Sequence, residues 1–381
     1  MAKVFIATRA MDEHAIIVET ALQNKGHQSC RWFGSDFPAL QAVCCSIGPE
    51  ADLALSIRGP GIRLQRFDFD TVWYRRPARP VAPSAWLHPD DVPAASRESE
   101  VFWQSFPYLF GPQAVWVNHW ESRARTNNKI VQLCEAKKAG LRIPRSLFGN
   151  DAGKIRNFVT NMPQGAIFKT FFPMRWLDGD TLYKANTKTI DVEALASDRM
   201  LQMVPGIFQE RIGKKCEIRA TFMGNHYFAI RIDSQSDARG ADDFRGIPTE
   251  QLKVQPCILP RDVVAKCRTM MKNLNILFGS FDFIVDASGE YVFLEINEQG
   301  QFLWLEQLCP DLPLLDAFTE FLVAPSADFV YKPRRGAVKM DAIVKHRHYE
   351  RMFEEDNEHH VYAPDPVLAD PAYQFGVRVT A

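Results

Sequence analysis

No segment of this sequence is apolar for long enough to cross a membrane: a spanning helix needs about 18 consecutive apolar residues, and no such run occurs. The stretch from Met1 to Asp12 reads as a first strand rather than a signal peptide. No C-x-x-C is present among the 8 cysteines, which are scattered from Cys30 to Cys309 with only Cys44 and Cys45 adjacent. That excludes a zinc ribbon, a dithiol redox motif and a disulfide framework, and it fits a cytoplasmic chain with reduced thiols. An excess of charge is lacking as well. With 45 Lys plus Arg against 46 Asp plus Glu, the net charge of −1 gives no electrostatic reason for a nucleic acid or an anionic membrane as partner. Internal repeats and low-complexity runs are absent.

What the 381 residues do contain is room for two or three domains. Hydrophobic residues at 46% and charged residues at 24% exclude wholesale disorder. The 27 Phe and 8 Trp point to large apolar cores and a packed interface, from which a homodimer is expected. Residues 3–8 form an apolar strand, and Asp12 caps a helix that ends at Gly26. Apolar runs at 30–33, 52–57 and 71–75, a helical stretch near 94–110 and a strand at 114–118 complete an open α/β layer. The Pro-rich stretch 77–93 is a loop over that layer.

A helix starts after Thr126–Asn128 and stops at Gly140. Strands are expected at 165–170, 206–211, 216–222, 226–233, 278–286 and 290–297, with a helix over 260–275 whose Val263, Cys267, Met270 and Leu274 share a buried face. This half is α+β. From about 326 the chain reads as an appendage with little core of its own: a basic patch at Lys332–Arg335, then a short helix followed by Glu354, Glu355 and Asp356. Pro364, Pro366 and Pro371 then break any further helix. His346, His348, His359 and His360 lack metal-ligand spacing and read as solvated.

Two hairpins carry the chemistry. In Phe281–Asn297, a turn at Ser288-Gly289 sets Ala287 opposite Glu290, Ile284 opposite Phe293 and Asp282 opposite Glu295, with Asn297 two residues along. Directly opposed carboxylates repel unless a divalent cation compensates, and Asp, Glu and Asn oxygens are hard ligands that suit magnesium. In the second hairpin, Cys216 to Asp233, clean alternation favours a three-residue loop, Met223-Gly224-Asn225. That register gathers Glu217, Arg219, Thr221, Arg231 and Asp233 on one face, opposite Ile218, Ala220, Phe222, Phe228, Ile230 and Ile232. Two arginines beside a carboxylate suit a triphosphate or an acyl phosphate, and equally a solvated salt-bridge ladder. Lys169, inside the apolar run GAIFKTF, either reaches an anion or snorkels from an edge strand. Lys129 opposes the dipole at the start of its helix, where an external anion makes sense of it.

Together Lys129, Lys169, Gln209-Glu210, Glu217, Asp282, Glu295 and Asn297 resemble the ATP-grasp superfamily. The likeness is closer still to the microviridin-type graspetide synthetases, through VWYRRP (72–77), WVN (116–118), the segments 128–144 and 206–235, DFR (243–245) and FLEINEQGQFLWLE (293–306). It spans about residues 1–325. The resemblance implies an ATP-grasp fold: an N-terminal α/β domain (1–115), a central subdomain (116–205), a C-terminal subdomain (206–325) and a C-terminal extension (326–381). It implies MgATP, with Lys129 and Lys169 on the phosphates, Gln209, Glu210, Arg211 and Ile212 at adenine, and Glu217 on the ribose. Asp282, Glu295 and Asn297 would hold magnesium, and Arg219 and Arg231 would face the transferred phosphoryl group. The implied partner is a ribosomal precursor peptide with a leader and an acidic core, gripped by Arg75, Arg76, Asp243 and Arg245. Its Asp or Glu side chains would be activated and closed into ω-ester or ω-amide rings.

The chain departs from the family pattern in Phe244, where a Trp is usual, in the loop 170–183, which has only Gly179, and in its tail. An ATP-grasp ligase for small-molecule or amino-acid carboxylates is a second reading. A catalytically silent nucleotide-binding module is a third, against which the intact Asp282–Glu295–Asn297 set argues.

Overall fold

The computed structural model describes residues 1–49, 51–111, 113–171, 175–178, 181–184 and 187–362. The loop glycine Gly179 and the prolines 364, 366 and 371 lie outside the described residues. Among those described, no helix is long and apolar enough to cross a membrane.

The chain begins with a parallel sheet in the order Gln28–Phe33, Lys3–Thr8, Thr71–Tyr74, Val115–Val117. Its two central strands, KVFIAT and TVWY, are buried because both faces are covered. Val4, Ile6 and Trp73 pack against the helices Glu13–Asn24 and Leu314–Val323, while Phe5, Trp32 and Val72 enter an aromatic cluster with Phe106 and Phe110. Asp12 caps the first helix through the amides of His14 and Ala15, and the chain leaves it at Gly26 with φ of +78°. An antiparallel meander of Ala42–Gly48, Ala51–Gly59 and Ile62–Leu64 lies beside the layer. Only its middle strand is apolar enough to be legible in the sequence.

A four-stranded sheet follows, ordered Lys188–Ile190, Ala166–Lys169, Gly206–Glu210, Ser146–Gly149. The strand Gly206–Glu210 thus hydrogen-bonds within this sheet, where the sequence reading had grouped it with the hairpin after it. Beyond it stands a five-stranded antiparallel sheet, Val254–Cys257, His226–Ile232, Lys214–Met223, Phe278–Asp286, Tyr291–Asn297. One face of it packs Ile218, Phe222, Phe281 and Phe283 against Leu133 and Ala136 of the helix Lys129–Lys138 and Val263, Cys267, Met270 and Leu274 of Arg261–Leu274.

Both hairpin registers differ from expectation. In the second hairpin, Met223 pairs with His226 and Arg219 with Ile230, so the loop is the two-residue Gly224-Asn225. Gly224 takes φ of +55°, and a Cβ there would stand 2.3 Å from the Ser326 carbonyl, so only glycine fits. Arg231 therefore pairs with Ile218 and lies on the helix-covered face, away from Arg219. The alternation argument failed because both faces of this strand are covered: Ile230 and Ile232 enter one core while Ala229 enters the other. In the carboxylate hairpin the loop is longer than expected: Asp286 N donates to Glu290 O, and Gly289 (φ +89°) closes a three-residue turn. Val285 now faces Tyr291, and Phe283 faces Phe293. A bulge between Asp282 and Phe283 then shifts the register back, and Asp282 stands opposite Glu295 after all.

The tail is corrected too. It completes a core that belongs to the first layer: Tyr331, Met340 and Ile343 join the cluster built on Val4 and Ile17. Glu354, Glu355 and Asp356 lie inside the helix Arg347–His359, where buried Asp356 receives Arg31 and the amide of Met11. His360 is not solvated: its Nδ1 lies 2.7 Å from Oδ2 of fully buried Asp36.

Candidate active site

The seam between the four- and five-stranded sheets brings together most of the residues singled out by sequence. Period-2 alternation along Phe278–Asp286 aims Asp282 away from the packed helices. The bulge lets Glu295 and Asn297 follow it onto the same face, and the Asn297 amide lies 3.2 Å from Asp282 Oδ2 and 3.3 Å from Glu295 Oε1. Three oxygen-bearing side chains thus converge on one point, a donor set suited to a hard cation. Arg219 Nη1 donates to Asp282 Oδ2 at 2.6 Å, and its Nη2 to the Gln301 carbonyl at 3.2 Å. Its Nε is buried without a hydrogen-bond partner among the described residues.

The charges are strongly perturbed. Burial, reinforced by the Glu295 charge opposite, lifts the Asp282 carboxyl to about 6 despite Arg219. Burial also pushes Glu295 upward, but the Lys129 ammonium, aided by Arg245 and Lys169, holds it far below the usual carboxylate range. Lys129 thus finds an anion inside the protein, in Glu295, while also lining the cleft. Lys169 ends an interior strand, flanked by Lys188–Ile190 and Gly206–Glu210, so snorkelling from an edge is excluded. Burial lowers its pKa, as expected of an ammonium facing a closed cleft.

Lys129, Lys169, Gln209, Glu217, Asp282 and Glu295 line one cleft. Gln209 is held by Ser146 Oγ at 2.9 Å, and Glu217 by Lys214 Nζ at 2.6 Å. Glu210, Arg211 and Ile212 run on along a neighbouring cleft, with Arg211 paired to Asp242 at 3.1 Å.

No protein-family model and no curated protein matches the chain. Solved structures do. The macrocyclase MdnC of Microcystis aeruginosa MRC, bound with precursor peptide MdnA, superposes with a TM-score of 0.72 at 26% identity, over 84% of this chain and 99% of that one. The macrocyclase MdnB of the same organism gives 0.69 at 25% identity, over 85% and 100%. A RiPP-associated ATP-grasp ligase of Chryseobacterium gregarium, in complex with ADP and a leader and core peptide, gives 0.78 at 23%, over 87% and 100%. The chain has the ATP-grasp fold.

A second cleft of this ATP-grasp fold opens beside the first, lined by Arg76, Arg219, Arg245, Phe244 and Trp304. Asp243 fixes Arg245 through contacts of 2.9 and 3.1 Å to Nε, and this pairing outweighs burial to keep the Asp243 carboxyl below its ordinary range. Phe244 and Trp304 stack at 6.1 Å. The four residues expected to grip substrate therefore divide. Arg76, Asp243 and Arg245 border the clefts. Arg75 does not: it is 1% exposed, and its guanidinium is taken by Asp12 at 3.2 Å and by the carbonyls of Gln299 and Gly300. Its neighbour Arg76 has its pKa drawn down to about 10 by burial and by the Arg75 charge. Sequence reasoning had no role for Phe148 and Thr187, which line the first cleft, or for Trp304 in the second; only the quoted FLWLE segment marked one of them.

Proposed function

We propose that this chain is a ligase that activates Asp or Glu side chains of a ribosomal precursor peptide as acyl phosphates and closes them into ω-ester or ω-amide rings. What carries the reading is the convergence of Asp282, Glu295 and Asn297 with Arg219, Lys129 and Lys169 at one seam, in a chain similar over most of its length to a macrocyclase bound with a precursor peptide. Magnesium and ATP fit this site. The Asn297 amide already bridges both carboxylates, and turning it over presents its oxygen in place of its nitrogen. The orphaned Arg219 Nε leaves a guanidinium donor that a phosphoryl oxygen would satisfy if the side chain turned toward it.

Bound there, MgATP supplies the phosphoryl group that makes a carboxylate electrophilic. Asp282, Glu295 and Asn297 hold the metal, and Lys129 and Lys169 hold phosphate oxygens. The segment Gln209, Glu210, Arg211 and Ile212 would meet adenine at the end of it that lines this cleft, Gln209, and Glu217 would meet the ribose. Arg219 stabilises charge where it develops. Arg76 and Arg245 bind the carboxylates of the acidic core, with Asp243 orienting Arg245. The Phe244–Trp304 stack lines the second cleft and would help keep water from an acyl phosphate held there. The cytoplasmic setting and the homodimer expected from sequence belong to this proposal, and light scattering of the purified protein tests the latter.

The test uses the purified chain with ATP, magnesium and an acidic peptide encoded beside its gene. Mass spectrometry is expected to show loss of one water per ring with matching ADP release, and Asp282→Ala or Glu295→Ala to abolish both. Rings formed without ATP, or normal turnover by the Asp282→Ala protein, would sink the proposal. Ligation of free amino acids alone would favour the small-molecule reading.

A further inference from the structure

In the segment 298–303, which follows Asn297 directly, the four carbonyls from Glu298 to Gln301 and the amides of Phe302 and Leu303 are all held by side chains. Asn118 Nδ2 donates to the Glu298 carbonyl at 3.0 Å, while the same side chain serves Leu277 N, Phe278 N and Phe278 O. Arg75 donates to the carbonyls of Gln299 and Gly300. Arg219 and the Trp304 indole both donate to the Gln301 carbonyl. His14 Nε2 accepts from Phe302 N at 3.1 Å and Leu303 N at 3.2 Å. His14, Arg75 and Asn118 are all under 9% exposed, and all three come from the first α/β layer or the end of its last strand. Asp12 anchors the set, capping the helix that carries His14 and accepting from Arg75 Nε.

We infer that His14, Arg75 and Asn118 are positioning residues: the N-terminal layer templates the 298–303 backbone, and that backbone fixes Asn297 beside the two carboxylates and holds Arg219 through Gln301. Free loops fluctuate among conformers, and a ligand side chain at the mouth of one would lose its aim. Here the loop is ordered by Asn118, Arg75, His14 and the Trp304 indole, which touch neither carboxylate of the site, and by Arg219, which also donates to Asp282. The bare acceptor nitrogen that both amides need is present because burial, with Arg75 beside it, pulls His14 down to about 3 and keeps it neutral. This inference rests on the proposed magnesium site.

The experiment is calorimetric titration of the full chain with ADP, with and without magnesium. Arg75→Lys keeps the charge beside Asp12 but loses the planar fork that reaches two carbonyls. It is expected to cut magnesium-dependent ADP affinity about tenfold or more, as removal of groups supporting a metal ligand does, while metal-free ADP affinity holds. His14→Ala is expected to do the same, and His14→Gln, which restores an acceptor, to recover part of the loss. The inference is overturned if the folded Arg75→Lys and His14→Ala proteins keep the wild-type magnesium dependence, or if both lose ADP affinity equally with and without the metal. Should wild-type ADP affinity ignore magnesium, the proposed metal site itself falls, a result these variants cannot mimic.

Discussion

The two faces of the five-stranded sheet are built from the same strands and held by opposite means. On the helix-covered face Phe281 is fully buried, 5.2 Å from Phe222 and stacked on Phe283, and Arg231 apart, the residues there are held by shape. On the seam face Glu217, Arg219, Asp282, Glu295 and Asn297 are each paired, and the pairing is completed by groups from another layer. Apolar packing tolerates small displacements at a graded cost. A buried polar cluster does not, since each orphaned group costs about 1–3 kcal/mol. The difference teaches where each property resides: stability on the dry face, and geometry on the wet one.

Breaking the dry face gives the largest effect. Phe281→Ala is expected to lower stability by about 3–5 kcal/mol, read by denaturant unfolding, while the folded fraction keeps its ADP affinity. A loss of ADP affinity without destabilisation would contradict the division. The next comparison sets two arginines of one hairpin against each other. Arg219→Ala is expected to slow turnover on the order of 10²-fold, whereas Arg231→Ala, on the other face, is expected to change it by less than about twofold. Equal losses would mean that the hairpin uses the three-residue loop after all.

The smallest effect is in acid. The dry-face thiols Cys216 and Cys267 are pushed up by burial and stay protonated. His14, which grips the seam, is neutral in the fold down to about 3 but takes a proton near 6.5 when unfolded. Between those values the unfolded chain binds the extra proton, so stability is full above 6.5 and falls as pH drops, by about 1.4 kcal/mol per pH unit. Asp12, held at about 2 against burial chiefly by Arg75, contributes in the same direction only below 3.8. From pH 6.5 to 5, wild type should lose about 2 kcal/mol more than His14→Gln; parallel curves would refute the assignment.

Much of this site was legible because strand alternation is strict. Asp282, Glu295 and Asn297 could be placed together from their spacing alone, yet they meet through two irregularities that offset each other. The turn at Gly289 shifts the register one way and the bulge beside Asp282 shifts it back. Pattern could not reveal either, because a bulge changes no residue type. Arg231 was misplaced for a related reason: alternation sorts wet from dry, and this strand has no wet side. Arg75 and Arg76 look alike in sequence, and only the approach of residues 299 and 300, remote in the chain, separates a buried strut from a cleft wall. The packing of the tail was illegible too, since Tyr331, Met340 and Ile343 are too sparse to form a core until Val4 and Ile17 supply the rest.

That borrowed core has a consequence for how the molecule is made. Helix Glu13–Asn24 is synthesised long before Leu314–Val323 and Met352, yet its apolar face waits for them. At about 5–20 residues per second, that face stays uncovered for tens of seconds while the two sheets of the seam emerge and close. A face made early on the ribosome is thus sealed late, so holdase chaperones should find it there, and variants of the distal helix should show their defect in yield before they show it in rate.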